Sequence, residues 1–332
     1  MKTLKFSLSI LIGLAFGVWA LWQVDFGQMW TSLQGASYFY LFPVLGLLFL
    51  SHWFRALRWQ LLLRPVAQFR RTDLFSALLI GYMANTVMPA HLGEFIRAYI
   101  AGKSEDVPSA QIFSSIVVER LLDLAFFLAL TALAMFFFPF PAWIVHGGYF
   151  IFLFTGIFAC SLFFKNLKSI QTWQFFEKIL KPVPEKIRGR LLDTAKNFLT
   201  GFGRLKDRGE YFRVFLYSIL IWLAYGAIFR LGFEMMHLHS YHLNWISALV
   251  LLVISTIGVI VPNAPGYVGT YHKLCQFGLG LFGVPVSVGM GFAIVLHAVN
   301  FLPVILAGLV LMGLQGWSLR KISADAAREQ KL

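Results

Sequence analysis

Charged residues stand in or beside stretches of the chain that are otherwise apolar, among them Glu94, Arg97, Glu119, Arg120, Asp123, Arg230, Glu234 and Lys273. An unpaired charge inside a bilayer costs about 2.5–3.5 kcal/mol even on the lenient insertion scale, so each must pair or face water. Spacing supplies some partners. Glu119 and Asp123 lie one helical turn apart on one face, with Arg120 displaced around the helix, and Arg230 with Glu234 forms an i,i+4 pair of opposite sign. Two chemistries fit such a set: salt bridges that hold a polar bundle together, or a charged cavity. Arg97 suits the second, because it follows Gly93 by one turn and sits close to Glu94 at an interruption of the helix. A guanidinium fork takes phosphate through two hydrogen bonds, and backbone N–H groups freed by a broken helix add more. His272 and Lys273 offer a second cationic contact. Asn85, Asn263 and Asn300 offer amides, either to a headgroup or as glue between helices.

Enzyme chemistry has thinner support. No Walker lysine loop, G-x-S-x-G or G-x-G-x-x-G occurs, and Glu119 and Asp123 have no nucleophile motif beside them. His237, His239 and His242 cluster without an acidic or cysteine ligand at firm spacing, so no metal site is expected, nor any cofactor. Cys160 and Cys275 sit singly in apolar stretches and read as packing residues.

The elements that carry these charges are set by composition. The 332 residues are 58% hydrophobic, 17% aromatic and only 13% charged, which excludes a soluble enzyme and points to an integral membrane protein. The net charge of +13 then reports cytoplasmic loops and anionic headgroups, and nucleic acid is not an expected partner. Apolar runs cover roughly 4–22, 38–63, 74–88, 109–138, 147–164, 212–236, 245–261 and 286–314. The first begins with Lys2 and Lys5 like a signal peptide, but Trp19, Trp22 and Gln23 stand where small residues would mark cleavage, so it reads as a retained helix. The connections 23–37, 139–147 and 237–245 carry no Lys or Arg, whereas 165–213 carries twelve. The positive-inside rule therefore puts both termini, the turn at Arg64, Arg70 and Arg71, and the basic loop in the cytoplasm.

That topology closes only if the chain between 73 and 108 enters the membrane and returns. Pro89 and Gly93 break the run there, and Pro262, Pro265, Gly266 and Gly269 break a second run that enters from the other side. Paired interruptions in two halves point to an inverted repeat with a site near the midplane; two unrelated proline kinks are the alternative. The expected fold is all-α and polytopic, one transmembrane domain over 1–332 with about six full transmembrane helices, two re-entrant or broken helical hairpins and an inverted repeat. Within the loop 165–213, Ile187, Leu191, Ala195, Phe198, Phe202 and Leu205 form one helical stripe among basic residues. It predicts an amphipathic helix, lying either on anionic inner-leaflet lipid or against the bundle.

Four stretches, in order, resemble the lysylphosphatidylglycerol synthase transmembrane (flippase-like) family: Arg55 to Leu63, Pro89 to Ala98, Val118 to Asp123 and Pro262 to Gly269. The resemblance implies a module that moves a lipid with a charged headgroup between leaflets. Well-known members add a soluble domain that aminoacylates phosphatidylglycerol; residues 315–332 are too few for one, so aminoacyl transfer is not expected. Many members carry an acid where this chain has His272, so any proton coupling through that acid would differ here or pass through the imidazole.

The expectation is a translocase of the cytoplasmic (inner) membrane for a lipid with an anionic or phosphate headgroup, bound by Arg97, Glu94, Glu119, Arg120, Asp123, Asn85, Asn263, Lys273 and His272. Alternatives are an intramembrane lipid-modifying transferase and a non-transporting scaffold that recruits lipid-synthesis enzymes.

Overall fold

The computed structural model describes residues 15–88, 92–140, 185, 188–189, 205, 207–260 and 265–318. Pro89, Pro262, Asn263, the apolar run 147–164 and most of the basic loop lie outside the described residues. The protein is an all-helical membrane protein, with no strand among the described residues. After α1 (Phe26–Gln34) and a short 3-10 turn come α2 (Leu41–Leu63), α3 (Arg71–Val87), α4 (Gly93–Ser104) and α5 (Ser109–Phe137). The second half contains α6 (Arg208–Met235), α7 (Trp245–Ile260), α8 (Thr270–Gly280) and α9 (Val286–Leu314).

Among the described residues, three stretches, Tyr38–Leu63, Arg208–Met235 and Val286–Leu314, are long and apolar enough to cross a bilayer. Phe39, Phe42, Phe136, Phe212, Leu306 and many other large apolar side chains are exposed on the outside of the bundle. So much exposed hydrocarbon is intolerable in water and appropriate in lipid.

Among the described residues, the order of helix lengths repeats. Helices of 23, 17, 12 and 29 residues (α2 to α5) are followed by helices of 28, 16, 11 and 29 (α6 to α9). Packing repeats as well: α3 lies against α9 as α7 lies against α5, and α2 against α6 joins the halves.

Each half contains one interrupted hairpin. In the first, Met88 leaves α3 in extended conformation, φ −104° and ψ 145°, as the residue before Pro89 must to avoid the proline ring. The chain re-enters helix at Gly93, whose N–H donates to Asn85 Oδ1 at 2.8 Å. A Cβ on Gly93 would fall 1.9 Å from the Gly81 carbonyl oxygen, so the two limbs can approach only because residue 93 has no side chain. Gly93→Ala must push the limbs apart and is expected to cost about 1–3 kcal/mol as an overpacked core does; a melting curve of the purified variant measures it. In the second hairpin, α7 starts on an asparagine cap, Asn244 Oδ1 accepting from Ile246 N–H at 2.8 Å. Past the break, Gly266 (φ 71°) and Gly269 (φ 89°) occupy the left-handed region that glycine tolerates. The second break then packs beside Thr86 at the end of α3, so the two interruptions meet.

Leu205, the last residue of the loop stripe, is buried with Leu61, Val118 and Val214. For this residue, packing against the bundle is the arrangement found.

Candidate functional site

α2 brings His52, Arg55 and Arg58 to one face by i,i+3 spacing, and all three side chains are buried. α5 turns Glu119 and Asp123 toward them. Each oxygen of Asp123 takes one arginine: Oδ2 accepts from Arg55 Nη1 at 2.6 Å and Oδ1 from Arg58 Nη2 at 2.7 Å. Glu119 Oε2 accepts from Arg97 Nη2 of α4 at 2.8 Å, while its Oε1 lies 3.5 Å from Arg55 and 3.8 Å from Arg58. Two carboxylates one turn apart would repel each other in an apolar interior. Three guanidiniums clamped around them turn repulsion into a neutralised cluster. Arg58 also donates to Ser218 of α6 at 2.9 Å, and the Arg97 guanidinium lies 4.5 Å over the ring of Trp59, whose Nε1 donates to Ser115 at 2.8 Å. Helices α2, α4, α5 and α6 are thus joined by one polar network.

A cavity of about 490 Å³ opens beside this network, reached by side chains from every helix from α2 to α9. That size accepts a headgroup rather than a pair of acyl chains. Arg55, Glu94, Arg120 and Asp123 give it charge, and apolar and aromatic residues such as Phe127, Trp222 and Phe229 supply most of the wall. Arg120 and Glu94 pair at 2.7 Å, Arg120 lies 3.7 Å from Asp123, and Arg120 keeps a side-chain exposure of 37%. The Arg55 Nε–H donates to Tyr225 Oη at 3.1 Å, fixing the guanidinium at the cavity edge. Four guanidiniums (Arg55, Arg58, Arg97, Arg120) face three carboxylates (Glu94, Glu119, Asp123), which leaves one positive charge in excess.

Of the residues singled out from the sequence, Glu94, Arg120, Asp123 and Asn85 line the cavity, as does Asn300. Arg97 and Glu119 do not; both are buried behind its wall and spend their hydrogen bonds on each other. The first hairpin carries Arg97 on the face of α4 packed against α5, so it is turned away from any ligand in the cavity. Lys273 lies 4.8 Å over the Trp19 ring, outside the lining. His272 also lies outside it: its Nδ1 accepts from the Gly269 N–H at 3.3 Å, and its ring sits 4.8 Å from that of His297. The imidazole therefore supports the break that Gly266 and Gly269 shape. Arg230 and Glu234 pair with each other, and Glu234 also faces His239 at 3.3 Å. His237 shares a hydrogen bond with Ser37 at 2.9 Å.

Sequence reasoning did not place His52, Arg55, Arg58, Trp222 or Tyr225 at the site. A signal for the first three existed: three polar residues at i,i+3 spacing inside a helix-length apolar run. Trp222 and Tyr225 carried none, since aromatic residues are common throughout this chain.

Residues 6–308 match the family described as lysylphosphatidylglycerol synthase TM region. The chain belongs to this family. It is also 23% identical, over 267 residues, to the UPF0104 membrane protein MJ1595 of Methanocaldococcus jannaschii, covering 77% of this chain and 79% of that protein. Within this LPG synthase TM region member, the four stretches whose resemblance was read from the sequence supply the Arg55–Arg58 pair, the limb with Glu94 and Arg97, the Glu119 to Asp123 turn and the second break. Three of these four meet in one ionic network.

Proposed function

We propose that this protein moves a lipid with an anionic headgroup between the leaflets of the cytoplasmic membrane, with both termini on the cytoplasmic side, acting as a carrier rather than an enzyme. The carrying observation is the cavity: a headgroup-sized space within a helical bundle, beside two interrupted hairpins that meet, with an excess of one positive charge in the ionic network that adjoins it. A phosphodiester headgroup bears one negative charge and would neutralise that excess. Its chains would remain in lipid while the headgroup passes. Arg120 is the contact of choice, because it is partly exposed at the cavity and held by a single close carboxylate, Glu94. Exchange of Glu94 for phosphate on the Arg120 fork keeps the charge paired throughout. Anionic lipids of the inner leaflet are the further partners expected of the basic segment 165–213.

The test is reconstitution in vesicles containing lipids labelled on the acyl chain, with a membrane-impermeant reductant that bleaches only the outer leaflet. Movement of anionic lipids beyond the protein-free rate supports the reading. An accessible share equal to that of protein-free vesicles for every lipid would refute it.

A further inference from the structure

The charged groups of the cavity explain attraction for an anion but leave a second set of polar atoms unused. His52 lines the cavity, is 6% exposed, and neither of its ring nitrogens has a hydrogen-bond partner among the described residues. Trp222, 7% exposed on the same cavity, has an Nε1–H in the same condition. Buried polar atoms without partners cost about 1–3 kcal/mol each, and native proteins keep few of them without a use.

The chemistry of these atoms says what satisfies them. A neutral imidazole offers one N–H donor and one lone-pair acceptor, and an indole offers a donor only. A phosphodiester monoanion carries acceptors alone, so it leaves the imidazole lone pair unmet. A hydroxyl both donates and accepts, and satisfies either side of the ring. The surrounding surface fits the same ligand: His52 packs at 5.2 Å against the Tyr82 ring, and Trp222 lies 6.0 Å from Tyr225 and 6.3 Å from Phe127. Aromatic faces stack on the C–H face of a polyol or sugar ring, while their polar edges take its hydroxyls.

We infer that the cavity selects a lipid whose phosphodiester headgroup carries hydroxyl groups, a glycerol, polyol or sugar, and that His52 and Trp222 are the residues that read those hydroxyls. This rests on the translocase reading and narrows its substrate. Arg55 and Arg120 answer the phosphate; His52 and Trp222 answer what is attached to it. The two functions are separable because a headgroup can lose its hydroxyls without changing its charge.

Phosphatidylinositol, phosphatidylglycerol and phosphatidylmethanol each carry one negative charge, and only the last lacks a headgroup hydroxyl. In vesicles with chain-labelled versions of the three, the wild type is expected to move the hydroxylated pair on the order of tenfold faster than phosphatidylmethanol, the ratio that one well-made neutral hydrogen bond supports. His52→Phe and Trp222→Phe should each bring that ratio toward one. His52→Gln, which keeps a donor and an acceptor, should hold it well above the His52→Phe value. Each variant is taken forward only as a monodisperse species with a wild-type melting temperature, and short-chain lipid binding to the detergent-solubilised protein is measured in parallel. Equal rates for all three lipids in the wild type, or a ratio that survives both Phe variants, would overturn the inference and leave translocation standing. If nothing moves but binding shows the same preference, translocation fails and the headgroup inference stands. If nothing moves and binding shows no preference, both fall.

Discussion

Glu119→Ala is expected to destabilise the folded protein by about 3–5 kcal/mol, the loss seen when one partner of a buried ion pair is removed. Glu119 is fully buried and stands within 3.8 Å of three guanidiniums. Without it, Arg97 keeps its charge but loses its carboxylate, while Arg55 and Arg58 must share Asp123 alone. Solvation cannot replace the lost partner, because Arg97 is itself only 1% exposed. Thermal unfolding in detergent, followed by size-exclusion of the surviving species, measures the effect. A double variant, Arg97→Leu with Glu119→Leu, should recover part of the loss, since an apolar replacement of a whole pair leaves no stranded charge. A Glu119→Ala protein as stable as the wild type would mean that the network does not support the fold as described.

Arg120→Ala should act differently, with a small effect on stability and a large one on transport. Its side chain is 37% exposed at the cavity, and Asp123 keeps Arg55 and Arg58 as partners when it is removed, so fewer buried charges are stranded than in Glu119→Ala. A charge-assisted hydrogen bond to phosphate contributes about 1.5–3 kcal/mol, and movement of a monoanionic lipid should fall about 10- to 150-fold. Glu94→Gln has the opposite sign for binding: it frees the Arg120 fork and deepens the positive potential. Short-chain anionic lipids should bind this variant more tightly than wild type. Titration of both variants with the same short-chain lipid separates the two effects, and affinities that move in the same direction would contradict the pairing of Glu94 with Arg120.

Much of the architecture could be read from residue order because its causes are local. Helix-length apolar runs, the proline after Met88, and Gly93, Gly266 and Gly269 act within a few residues of themselves. Glu119, Arg120 and Asp123 likewise announced a polar face on α5 before any partner was known. The partners were not legible. Arg97 adjoins Glu94 in sequence, yet α4 packs both against α3, where Gly81 and Gly93 approach closely, and against α5, where Arg97 meets Glu119 and Glu94 meets Arg120. His272 was legible as a polar residue at the second break, but its position against His297 depends on α9, more than twenty residues away. The cavity wall from α6 and α7 is a product of packing between the two halves, and no spacing rule within one helix encodes it.

The most direct test of the account follows bleaching of chain-labelled phosphatidylglycerol in vesicles holding the wild type, Arg120→Ala, or Thr256→Trp, which places an indole in the cavity. Measurements are made without a proton gradient and with one of either direction. The expected result is near-complete bleaching with the wild type under at least one condition, and bleaching limited to the outer-leaflet share with the two variants over the same time. Wild-type vesicles that stop at the outer-leaflet share under every condition, or a Thr256→Trp protein that moves lipid as fast as the wild type, would contradict passage of the headgroup through this cavity.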